Sequence, residues 1–280
     1  MGPAGDIRYT RIGAGDPLVL VHGLGSRREA WDPVLPRLTP HRDVLAIDLP
    51  GFGTSPGPAP VDAAGRVTVE TLAGAVAGLL HGLGLAGADR PHLAGFSLGG
   101  GIALELGRRG LARSVTAFAP VGFWALPGRL WCQTCLRGIR GGARRAAPVL
   151  PAVLATTAGR VVLGGGFYGR PAAVSPQTLL DDAAALVDGR GFDAACAGLA
   201  GHRFEAGSLD GLAEVPVTLA WGSRDLLLPF ASQARRARLA LPGARRVLLP
   251  GCGHLPFADD PVRCAQVLLS SHQSPLAGGG

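Results

Sequence analysis

The 280-residue sequence predicts an α/β fold: a doubly wound, mostly parallel sheet carrying an inserted, wholly helical segment. Two observations lead there. Short unbroken apolar runs, at residues 18–21 and 44–47, have the composition of strands buried on both faces, and residues 114–120 read as a further strand. Residues 92–106 also pass from an apolar strand straight into a helical run with no loop between them. A third observation sets the insertion. Roughly residues 122–211 have helical stretches broken by Pro and Gly and no convincing buried strand, far longer than a connection between two sheet strands requires.

Taken in order, residues 6–12 read as a short edge strand closed by the turn cluster 13–17. The strand at 18–21 ends in His22-Gly23-Leu24-Gly25-Ser26. A helical pattern at 31–38 and the strand at 44–47 lead to Asp48-Leu49-Pro50-Gly51-Phe52-Gly53-Thr54-Ser55. An Ala/Leu/Val helix at 69–83 stops at glycines. After the strand at 114–120 comes the helical insertion. Strand character returns at 215–222 and stops at Ser223-Arg224-Asp225. A helix at 230–241, a last strand at 245–249 ending in Gly251-Cys252-Gly253-His254, and a helix at 261–270 complete the chain. The expected division is therefore a core of 1–121 and 212–270, a helical cap at 122–211, and a frayed tail at 271–280.

The strand-to-helix junction holds the chemistry. It reads Gly95-Phe96-Ser97-Leu98-Gly99, a serine flanked two residues away on each side by glycine. A turn this sharp strains the serine backbone, and glycines allow the neighbouring backbones to close in. The hydroxyl is left at the tip above a helix N-terminus, where negative charge is favoured. Three chemically capable residues, Ser97, Asp225 and His254, each follow a predicted strand, at the edge of an open α/β sheet where sites form. Asp193 and Asp210 are rival acids, but neither follows a strand.

Composition narrows the partners. The net charge is +7, yet the arginines are scattered in pairs and no basic region is interleaved with exposed aromatics, so no nucleic-acid partner is expected. Gly23-x-Gly25 has Arg28 where a dinucleotide fingerprint needs its third glycine. Five cysteines form no even framework, and Cys132-x-x-Cys135 has no second pair to complete a zinc site. The N-terminus shows no signal-peptide pattern and no run is long enough to span a bilayer, so a cytoplasmic protein without a membrane partner is expected.

His22-Gly23, the Asp48–Ser55 stretch, Gly95-Phe96-Ser97-Leu98-Gly99-Gly100, Trp221-Gly222-Ser223-Arg224-Asp225 and Gly251-Cys252-Gly253-His254 together resemble the α/β-hydrolase fold superfamily. Within it they are similar to the capped esterase, haloperoxidase-like and C–C hydrolase branch, and the order Ser, Asp, His is the one that superfamily uses. The resemblance implies a nucleophile at Ser97, a base at His254 and an acid at Asp225. It also implies an oxyanion hole made by the backbone N–H groups of Leu24 and Leu98, supported by His22, Gly23, Gly95 and Gly99. The expected activity is carboxylic ester hydrolysis of an apolar small-to-medium substrate through an acyl-enzyme, with no cofactor or metal. C–C bond hydrolysis, perhydrolase chemistry and a non-turnover ligand-binding role are the alternatives. Aromatics early and late in the insertion, Phe123 and Trp124 with His202, are the expected substrate contacts.

Overall fold

The computed structural model describes residues 7–204 and 209–270. The expected tail at 271–280, like residues 1–6, lies outside the described residues. Seven strands form one sheet in the order β1-β3-β2-β4-β5-β6-β7. They are β1 (Tyr9–Gly13), β2 (Asp16–Val21), β3 (Arg42–Ile47), β4 (His92–Phe96), β5 (Ser114–Phe118), β6 (Val217–Gly222) and β7 (Arg245–Leu249). Only β1 runs antiparallel, against β3; every other pairing is parallel. The α-helices are α1 (Leu35–Leu38), α2 (Val69–Gly82), α3 (Leu98–Arg108), α4 (Leu126–Ala146), α5 (Leu150–Ala155), α6 (Thr157–Gly164), α7 (Pro176–Asp188), α8 (Phe192–Gly198), α9 (Phe230–Ala240), α10 (Pro256–Asp259) and α11 (Pro261–Leu269).

The side-chain alternation of the strands divides the core in two. Val19, Val21, Leu45, Ile47, Leu93, Val115 and Ala117 pack with α2, α3 and α9 on one face. Leu18, Leu20, Val44, Ala46, Ala94, Phe96 and Phe118 pack on the other, beneath α11 and the helical turn at Trp31. Trp31 sits among Phe96, Phe118 and Phe257, with ring centroids 4.2 Å apart at the nearest pair, and packs in this half of the core.

Between β5 and β6 the chain forms α4 to α8 and, among the described residues, no strand. Connecting loops bind this segment to the C-terminal edge of the sheet. The Leu255 N–H donates to the Phe167 carbonyl at 2.9 Å. Asp259 accepts from the amides of Gly169, Arg170 and Gly253, each at 2.8 Å, so one carboxylate ties the α6–α7 connection to the loop after β7.

Candidate active site

β4 delivers Ser97 into α3 with φ 54° and ψ −119°, backbone that a side chain seldom adopts. The turn is held by the Ser97 N–H donating to Phe118 O at 2.9 Å, while the Ser97 carbonyl accepts from Gly101 and Val121, both at 3.1 Å. The two flanking glycines are steric necessities. A Cβ at Gly95 would lie 2.1 Å from the Gly99 carbonyl oxygen, and one at Gly99 would lie 2.2 Å from that of Val21.

Asp225 follows β6 and His254 follows β7, and the two loops are knitted together by the Arg224 N–H donating to Cys252 O at 2.9 Å. His254 Nδ1 meets Asp225 Oδ2 at 2.8 Å, with both side chains buried. A carboxylate only accepts, so Nδ1 carries the proton and Nε2 presents a lone pair. Asp225 Oδ1 in turn accepts from the amides of Leu227 and Leu228, at 2.9 and 2.8 Å.

Ser97 and His254 line one cavity of about 510 Å³, together with Gly23, Leu24 and Gly25 from the loop after β2. A Cβ at Gly23 would stand 3.2 Å from that of Ser97, which shows how closely this loop approaches the serine. The Leu98 amide opens α3 directly beneath it. His22 does not face the cavity. Its Nδ1 donates to Gly23 O at 2.7 Å and its Nε2 accepts from the Leu49 N–H at 2.9 Å. Both ring nitrogens are thus committed, and complete burial pushes its pKa down.

The remaining cavity wall comes from the helical segment, with Leu136 and Ile139 of α4, Leu150 and Leu154 of α5, Leu163 of α6 and Leu186 of α7 prominent. Among the described residues, its side-chain polarity apart from Ser26, Ser97 and His254 is confined to the Tyr168–Asp182 pair, and neither Arg nor Lys lines it. The Tyr168 hydroxyl donates to Asp182, whose carboxyl is pushed up to about 6 by burial despite that hydrogen bond.

Three expected substrate contacts are corrected. Phe123, Trp124 and His202 do not line this cavity. The chain leaving β5 turns at Gly122, φ 106°, and drops Phe123 and Trp124 into the core, where Phe123 stacks on Phe204 with centroids 5.5 Å apart. The Trp124 Nε1–H donates to the His202 carbonyl at 3.1 Å. His202 Nδ1 lies 2.9 Å from Glu70, and the hydrogen bond holds the Glu70 carboxyl down at about 2. The rival acids are engaged elsewhere, Asp193 with Arg140 at 2.8 Å and Asp210 with Arg108.

Sequence reading gave no site role to Tyr168, which lies in the connection after α6, or to Asp182 of α7, because helix periodicity does not tell which face of an inserted helix meets a cavity or where its connections fold. It named Asp48 only as part of the 48–55 stretch and gave it no role; Asp48 accepts from the Arg28 and Thr54 amides at 2.8 Å and shapes the loop beside His22. Among the described residues no group of three or more His, Cys, Asp or Glu is placed to hold a metal. Burial pushes the Cys132 thiol up, so it is an inert core thiol.

The parallel sheet carries a serine at a strained strand–helix turn, and the cavity this serine lines is also lined by the histidine of a hydrogen-bonded Asp–His pair. The chain belongs to the α/β hydrolase family, whose model matches residues 18–267. It is 32% identical over 260 residues to the dihydrolipoyllysine-residue acetyltransferase component of the acetoin cleaving system of Pseudomonas putida, covering 89% of this chain. The match spans 62% of that relative's length. It is 40% identical over 101 residues to the 2-hydroxy-6-oxo-2,4-heptadienoate hydrolase of a P. putida strain, 35% of this chain and 34% of that one. In structure it resembles a thermophilic esterase from Thermogutta terrifontis, with TM-score 0.72, 24% identity, and 95% and 94% of the two chains covered.

Proposed function

We propose that this protein is a serine hydrolase acting on carboxylic esters with an apolar acyl or aryl part. The observation that carries the reading is the Asp225–His254 hydrogen bond beside a cavity that His254 shares with Ser97. A free serine hydroxyl is a poor nucleophile and needs a base. In the proposed reaction His254 Nε2 takes the proton from Ser97 Oγ as that oxygen attacks the ester carbonyl. The developing oxyanion is received by the amides of Leu24 and Leu98, each contributing about 3 kcal/mol in the transition state. The imidazolium, steadied by Asp225, then gives its proton to the leaving alkoxide. Water activated by the same imidazole releases the acid and restores Ser97.

C–C bond hydrolysis is the second reading, favoured by the local identity to the P. putida hydrolase. The cavity weighs against it. The substrate in that relative's name is a dienoate anion, whereas no Arg or Lys lines this cavity and Asp182 does. A neutral ester suits such a wall better.

The test is a fluorophosphonate probe followed by a panel of p-nitrophenyl esters. Labelling of the wild type, lost in Ser97→Ala, with turnover peaking at a medium acyl chain, is the expected result. No labelling of the folded protein would mean a ligand-binding role; labelling without turnover of any ester would move the reading to C–C cleavage.

A further inference from the structure

Between Glu105 and Asp181 the sequence contains no acidic residue, while Arg129, Arg137, Arg140, Arg144, Arg145 and Arg160 fall within it. From Ala146 to Gly169 the only charged side chain is Arg160. A stretch this apolar belongs in a core, yet it forms the outer strap α5–α6. Leu150 and Leu154 turn inward to the cavity, and Val149, Val153, Val161, Val162 and Leu163 stand exposed, Val162 at 77%. Val162 and Leu163 line the cavity as well, so the apolar rim borders its mouth.

The arginines of α4 and α6, the helices that precede and form this rim, differ in their commitments. Arg140 points inward, paired with Asp193 and lying over the Phe192 ring at 4.6 Å. Arg160 is held by the carbonyls of Leu154, Ala155 and Ala172, with no carboxylate partner among the described residues. Arg137, Arg144 and Arg145 are exposed and make no ion pair among the described residues. An exposed apolar patch with uncompensated positive charge around it needs a partner that is apolar within and anionic at its surface. A second copy of this chain fits poorly, because its own arginine collar and net charge of +7 would oppose the approach. A bilayer with anionic headgroups satisfies both requirements.

We propose that α5 and α6, with Arg137, Arg144 and Arg145, form a docking surface for an anionic lipid bilayer. The valines enter the headgroup–acyl boundary, the guanidinium groups meet lipid phosphates, and the cavity mouth faces the membrane. This replaces the expectation of no membrane partner, which rested on span length. No helix among the described residues is long and apolar enough to cross a membrane, but helices lying in the interface plane need no span. Entry of an apolar ester from the lipid rests on the hydrolase reading; docking itself does not.

The test is co-sedimentation of the whole chain with phosphatidylcholine vesicles and with vesicles that also contain phosphatidylglycerol. The expected result is binding to the anionic vesicles that weakens with added salt. Arg144→Glu/Arg145→Glu should lower the partition at least about tenfold through loss of two phosphate-facing cations, and Val149→Asp/Val153→Asp should do so by removing apolar side chains from the headgroup–acyl boundary. Melting temperature and turnover of a water-soluble short ester should stay at wild-type values, since none of these four residues lines the cavity. Ser97→Ala should bind vesicles as the wild type does, which separates failure of docking from failure of the hydrolase reading. Equal binding to neutral and anionic vesicles, or none to either, overturns the proposal. So does a concentration-dependent dimer that Val149→Asp/Val153→Asp dissociates.

Discussion

Asp225 meets His254 through Oδ2 at 2.8 Å, while its other oxygen is already occupied by the amides of Leu227 and Leu228. The carboxylate is therefore fixed from below before the imidazole is considered, and it can hold only the tautomer with the proton on Nδ1.

Asp225→Asn should keep the two amide contacts through its carbonyl oxygen and turn an NH₂ toward His254. That donor favours the opposite tautomer, leaving no lone pair on Nε2 for Ser97. The expected outcome is a fall in kcat of about 10³- to 10⁴-fold with little change in melting temperature. Steady-state kinetics with thermal unfolding checks it; a variant within tenfold of wild type would remove Asp225 from the reaction.

Ser97 occupies backbone at φ 54° that glycine takes without strain. Ser97→Gly should abolish turnover and raise stability by about 1 to 2 kcal/mol, since such strain costs about 1–3 kcal/mol. Gly99→Ala is the opposite case. Its Cβ would meet the Val21 and His22 carbonyl oxygens at 2.2 and 2.4 Å, backbone on both sides. A loss of about 3 kcal/mol or more, or failure to fold, is expected. Urea melts of the two variants give opposite signs if the turn is as described.

Asp182 has a carboxyl raised to about 6 by burial, so the folded state holds its proton more tightly than the unfolded chain does. Between about pH 4 and 6 the native state then binds more protons than the unfolded state, and stability falls as pH rises through that window. Asp182→Asn, which keeps an acceptor for Tyr168, should flatten this slope and be the more stable protein at pH 8, by about 1 to 3 kcal/mol for a shift of this size. Unfolding free energies at pH 4 and pH 8 decide it; parallel pH profiles for the two proteins would contradict the Tyr168–Asp182 pairing.

Ala143 lies on the cavity wall contributed by α4. Ala143→Phe should shorten the preferred acyl chain in a p-nitrophenyl ester panel while leaving kcat/KM for the shortest ester within a few fold. An unchanged chain-length profile would place the acyl group elsewhere.

Much of this site can be read from the chain because the local rules are strict. A serine on a strand–helix turn requires glycines where Gly95 and Gly99 stand, and short apolar runs such as 18–21, bounded by turn residues, fit a strand buried on two faces. The pattern therefore determines the parallel sheet, the elbow, and the placing of Asp225 and His254 at strand ends. The cavity was not legible in the same way. Phe123 and Trp124 have the composition of pocket residues, and only the reversal at Gly122 sends them into the core. Tyr168 and Asp182 are brought together across the turn between α6 and α7, and Asp259 joins that connection to the His254 loop. Periodicity marks a helix as two-faced, but which face meets a cavity and which meets solvent depends on partners remote in sequence. Only the tertiary structure supplies those partners.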